Sequence, residues 1–107
     1  MFFFKKGLKV SITVKVKLFA TFREITGGQR IVVVKLPRKA TIKNLIEELS
    51  KLFGQEIKDI TLDPKTGNLK SFNNFLVNGH NIKLLQELRT RLDNGDTVAF
   101  FPPVGGG

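Results

Sequence analysis

Val10-Ser11-Ile12-Thr13-Val14-Lys15-Val16-Lys17-Leu18 alternates apolar and polar residues without a break. A period of two is that of a half-buried strand, here with Val10, Ile12, Val14, Val16 and Leu18 turned to a core. The same alternation turns Phe19, which follows Leu18, to the outer side with Lys15 and Lys17. Gly27-Gly28 supplies a turn, and Arg30-Ile31-Val32-Val33-Val34-Lys35-Leu36 is a β-branched run of strand length that stops at Pro37. The two runs predict a hairpin whose connection carries a turn of helix near Phe22 to Ile25.

From Thr41 to Gly54 the period changes to that of a helix. Ile42, Leu45, Ile46, Leu49, Leu52 and Phe53 recur on one side, Thr41 stands where an N-cap is wanted, and Gly54 stands at the stop. A helix apolar on one face only is expected to lie on a sheet. Residues 55 to 72 read as a turn-rich loop around Asp63-Pro64-Lys65-Thr66-Gly67-Asn68. Phe75-Leu76-Val77 then runs into the hairpin signal Asn78-Gly79, with Ile82 to Leu85 as the return strand. Asp93-Asn94-Gly95-Asp96 leads into Thr97-Val98-Ala99-Phe100-Phe101, and Pro102-Pro103 ends that strand because proline cannot donate to the ladder. The order is β-β-α-β-β-β, an α+β arrangement. The expected core is Val14, Val16, Leu18, Val32, Val34, Ile42, Leu45, Ile46, Leu49, Leu76, Val98 and Phe100.

Length and composition bound what such a fold can do. The chain has 107 residues, 41% of them hydrophobic, with 18 Lys+Arg against 9 Asp+Glu and a formal net charge of +9. This is one domain with one core, too apolar for a disordered chain. No apolar run approaches the roughly 20 residues of a membrane span, so no membrane partner is expected. Met1-Phe2-Phe3-Phe4-Lys5-Lys6 has its basic residues after a short apolar stretch, the reverse of a secretory signal, which makes the cytoplasm the expected location. With no cysteine there are no disulfides, thiolate metal sites or thiol nucleophiles.

All the excess positive charge lies in residues 1 to 53, which hold 12 basic and 3 acidic side chains against 6 and 6 in residues 54 to 107. No nucleic-acid motif accompanies it, so a solvated lysine-rich surface is preferred to an RNA interface through Lys5, Lys6, Lys9, Lys15 and Lys17. His80, the sole histidine, sits beside a turn with no catalytic companion. Glu47 and Glu48 fall on the polar side of the helix. Gly27-Gly28 lacks the spacing of a phosphate loop.

What remains is Pro102-Pro103-Val104-Gly105-Gly106-Gly107. Three segments in order, Val16-Lys17-Leu18-Phe19-Ala20-Thr21-Phe22-Arg23-Glu24-Ile25-Thr26-Gly27, Phe75-Leu76-Val77-Asn78-Gly79, and Asn94 through Gly107, resemble the ubiquitin-like sulfur carriers (MoaD/ThiS-like). Within them the chain is most similar to the small subunit of molybdopterin synthase. The resemblance spans roughly residues 13 to 107. It implies a β-grasp fold, a mixed sheet of about five strands packed on one main helix, with residues 1–12 an N-terminal extension and 102–107 an extended tail of the single domain.

The resemblance further implies that an E1-like adenylating enzyme, using ATP with Mg, activates the carboxylate of Gly107, and that sulfur then displaces AMP to leave a thiocarboxylate. Gly106, without a Cβ, lets the tail enter a narrow channel, while Pro102 and Pro103 hold its exit extended. Phe19, Phe101, Pro102, Pro103, Val104 and Gly105 are the expected partner-binding residues. Expected partners are the adenylating enzyme, the large subunit of molybdopterin synthase and a sulfur-donor protein. No metal ligand and no cofactor of the chain's own is expected, and the chain would be a sulfur-donor subunit and not an enzyme alone. The alternative, using the same glycine, is a ubiquitin-like protein modifier or a sulfur carrier for tRNA thiolation.

Overall fold

The computed structural model describes residues 11–70 and 74–101. Strand β1 (Ser11–Leu18) leads through a short helix α1 (Thr21–Ile25) to β2 (Ile31–Pro37), the main helix α2 (Ile42–Phe53) and a second short helix α3 (Glu56–Thr61). Strands β3 (Asn74–Val77), β4 (His80–Asn81) and β5 (Thr97–Phe101) complete a five-stranded sheet of order β2-β1-β5-β3-β4. β1 pairs antiparallel with β2 and parallel with β5, so the first and last strands lie side by side in the middle.

The alternation read in β1 holds: Ile12, Val14, Val16 and Leu18 are buried. Val10 and the tail from Pro102 to Gly107 lie outside the described residues. Helix α2 places Ile42, Leu45, Ile46 and Leu49 in the core and leaves Leu52 exposed. Its start is a capping box: Thr41 Oγ1 accepts from the Asn44 N–H at 3.4 Å, and Asn44 Oδ1 accepts from the Thr41 N–H at 2.9 Å. The Gly54 N–H closes the far end on the Ser50 carbonyl at 2.8 Å.

Four expectations are corrected. In β3 the core-facing residues are Phe75 and Val77, and Leu76 is turned to the outer face. Three consecutive apolar residues carry no period of their own. Pairing decides the face, because Phe75 lies opposite the inward Phe100 and Leu76 opposite Ala99. Val32 is half-buried, since β2 is an edge strand and only its Val34 and Leu36 reach the centre. The return strand is His80–Asn81 alone. Ile82 to Leu84 form a 3-10 turn, begun by Asn81, whose side chain accepts from the Lys83 N–H at 2.9 Å, and this drops Ile82 into the core.

The segment expected to be a loop from 55 to 72 contains α3, which buries Ile57 and Thr61. Thr61 Oγ1 is satisfied by donating to the Ile57 carbonyl at 2.8 Å. The turn at Asp63 to Asn68 is where the sequence puts it, with the Lys65 N–H donating to Asp63 Oδ1 at 2.8 Å. Asn78 and Gly79, at φ 51° and 87°, make the tight turn between β3 and β4 that needs positive φ at both central positions.

Candidate functional site

Strand β5 runs down the centre of the sheet and its last described residue, Phe101, precedes Pro102. Two phenylalanines stand at this end on opposite faces. Phe100 is fully buried and stacks on Phe75 at 4.2 Å between centroids, with Phe22 edge-on to both. This aromatic cluster fixes the strand from below.

Phe101 is half-exposed on the outer face, as is Phe19, so both expected partner-binding phenylalanines point outward. The sequence did not reveal that they touch. Their rings stack with centroids 4.4 Å apart and planes 8° from parallel. Parallel pairing makes this possible: Leu18 lies opposite Phe100, so the residues that follow are neighbours too. The Arg23 guanidinium carbon lies 6.0 Å from the Phe19 ring centroid, and Arg23 Nε donates to the Leu18 carbonyl at 3.4 Å. Half-buried Leu76 and Ala99, a register pair, continue the apolar surface.

Phe19 is held by the chain that follows it. The Phe22 N–H donates to the Phe19 carbonyl at 3.1 Å, closing a tight turn whose first central residue, Ala20, has φ 50° and ψ −119°. That is the left-handed geometry of a type II′ turn, where glycine is preferred. On the opposite end of β5, Asn78 locks the strand start: its Nδ2 donates to Asp96 Oδ1 at 2.9 Å and its Oδ1 accepts from the Thr97 N–H at 2.9 Å. Asn94 Oδ1 accepts from the Thr13 N–H at 2.8 Å, tying β1 to the same loop. Both ends of the strand that leads to the tail are therefore fixed.

Other chemistry is sparse. His80 is exposed in β4, as expected of a turn histidine, and Glu48 pairs with Lys51 at 3.9 Å across one helical turn. Among the described residues no group of three or more histidine, cysteine or acidic side chains could hold a metal, and no helix is long and apolar enough to cross a membrane.

A small sheet closed on one helix, with its last strand central, is the ubiquitin-like β-grasp architecture. The chain belongs to the ThiS family, whose model matches residues 16–107. It is 35% identical over 97 residues to small archaeal modifier protein 3 of Haloferax volcanii, covering 87% of this chain and 97% of the relative. The crystal structure of small archaeal modifier protein 1 from the same organism superposes with a TM-score of 0.74 at 29% identity, over 89% of this chain and 99% of that one. A protein described as molybdopterin converting factor, subunit 1, of Pyrococcus furiosus gives 0.68 at 32% identity, over 87% and 99%. These relatives define a family of ubiquitin-like sulfur carriers and modifiers.

Proposed function

We propose that this protein carries sulfur as a C-terminal thiocarboxylate on Gly107 and donates it in molybdopterin synthesis. In the first step a carboxylate oxygen of Gly107 attacks the α-phosphorus of ATP held with Mg by an E1-like enzyme, releasing pyrophosphate. In the second, a hydrosulfide equivalent from a sulfur-donor protein attacks the acyl carbon. A C–S bond forms, the C–O bond to AMP breaks, and the proton passes to solvent. The charged tail then enters the large subunit of molybdopterin synthase, which supplies the catalytic groups. This reading assigns the work to the cytoplasm, where ATP-dependent activation takes place.

The observation that carries the reading is the stacked Phe19–Phe101 pair at the root of the tail. An outward aromatic pair beside a glycine-ended segment provides an anchor for whatever enzyme receives that segment. Pro102 and Pro103 lower the entropy lost when the tail docks, and Gly105, Gly106 and Gly107 keep it slender past Val104. A chain without cysteine also has no side-chain thiol to compete for the sulfur.

A second reading, conjugation of Gly107 to lysines of other proteins, is favoured by the similarity to small archaeal modifier protein 3. Intact mass of the untagged protein from its native cells separates the two. Exchange of one oxygen for sulfur at Gly107, without higher-mass species, is the expected result. A ladder of lysine-linked adducts would replace the first reading with the second, and a chain lacking Gly106 and Gly107 that still supports every cellular role would remove both.

A further inference from the structure

We propose that the open edge of β2 is a docking site for an extended, acidic segment of a partner protein, which joins the sheet as a sixth strand. The directions of the backbone groups carry the argument. In β1 the Lys15 N–H donates to the Asp96 carbonyl at 2.9 Å and the Thr13 carbonyl accepts from the Gly95 N–H at 2.8 Å, so odd-numbered residues of β1 turn their backbone away from β2. The Leu18 N–H donates to the Arg30 carbonyl at 2.9 Å, so even-numbered residues turn toward it.

Partners in this ladder are even with even and odd with odd, as in Val16↔Val32 and Lys15↔Val33. Ile31, Val33 and Lys35 therefore point their N–H and C=O groups outward, along an edge with no strand neighbour among the described residues. Pro37 belongs to the same outward set, where its missing N–H costs the β1 ladder nothing. It ends the open edge, which leaves a row of three residues free to pair.

The side chains choose the occupant. Ile31 and Val33 are 50% and 64% exposed, an apolar strip suited to alternate side chains of an added strand. Around them on the same outer face stand Lys15, Lys17 and Lys35, all exposed and none in an ion pair with a carboxylate of the described residues. No acidic side chain lies on β1 or β2. A second copy pairing through this edge would join two such lysine rows on one continuous face, a repulsive arrangement. An apolar strand bearing carboxylates meets both features, and the outward face thus selects against basic or self-paired strands. Recognition at this edge does not rest on the chemistry of Gly107.

The test titrates the 15N-labelled full chain with a short acetylated peptide of alternating valine and glutamate, and with its valine–lysine counterpart. The glutamate peptide is expected to bind at least ~tenfold more tightly at low salt, with the difference shrinking as salt is added. Amide exchange should slow at Ile31, Val33 and Lys35. Val33→Pro removes one outward N–H and should weaken binding by about tenfold; should that variant fail to fold, Lys15→Glu with Lys35→Glu, expected to reverse the peptide preference, still decides. Equal affinity for the two peptides, or effects centred on Phe19 and Phe101, would overturn the proposal. So would edge amides already protected in the free chain, whether by residues 1–10, as their removal would reveal, or by a second copy, as dilution would.

Discussion

Phe19 and Phe101 come from segments more than eighty residues apart and stack almost parallel, their centroids 4.4 Å from one another. Each ring thereby covers part of the other, so the pair stays half-exposed instead of fully wet. Phe19→Ala or Phe101→Ala should cost only ~1–2 kcal/mol of folding stability, and a double-mutant cycle should return a coupling of ~0.5–1.5 kcal/mol. Binding to the activating enzyme should fall with either substitution. Denaturant midpoints read the stability and the coupling, and titration calorimetry reads the binding; losses of core size from either single variant would reassign these rings to the interior.

Phe100 gives the contrasting case. Its ring is fully buried between Phe75 and Phe22. Phe100→Ala is expected to remove ~3–5 kcal/mol. A urea series comparing it with Phe101→Ala should separate two neighbouring phenylalanines by at least ~1 kcal/mol.

Ala20 holds a backbone conformation made for glycine, at φ 50° and ψ −119°. Ala20→Gly should raise stability by ~1 kcal/mol, since the strain relieved exceeds the entropy that glycine adds to the unfolded chain. A lowered thermal midpoint would show that the turn carries no strain.

Asn78 satisfies the Thr97 N–H and Asp96 while sitting at positive φ. Asn78→Ala loses both hydrogen bonds and the conformational tolerance, an expected cost of ~1–3 kcal/mol. Exchange of the Thr97 amide should accelerate more than that of Val98, which locates the loss at the start of β5.

The sequence was most legible where one period ran unbroken. β1, with its strict alternation, and α2, with Thr41 and Gly54 at its ends, lie where the pattern puts them. Asn78-Gly79 announced its turn because few residues accept positive φ twice in succession. The errors fall where local pattern is silent and pairing decides. Phe75-Leu76-Val77 has no alternation, so only its register against β5 turns Leu76 outward. α3 offers only two apolar residues in its six, Ile57 in the core and Ile60 packed partly buried against it, too short a run for a helical stripe. At the candidate site, alternation revealed that Phe19 faces outward, but its contact with Phe101 depends on β1 and β5 being parallel neighbours, which no local spacing encodes.

That neighbourhood also governs how the fold meets force. β1 and β5 run the same way, joined at Lys15↔Thr97, Val16↔Val98, Lys17↔Ala99 and Leu18↔Phe100. Tension applied between the start of β1 and the end of β5 slides the two strands along one another, so their hydrogen bonds share the load and must fail together. Traction on the outer hairpin of β3 and β4, whose strands run in opposite directions and meet at a turn, instead opens one bond at a time. A machine hauling on the segment beyond Phe101 against the start of β1 would grip this domain by a seam loaded in shear and not by one that unzips.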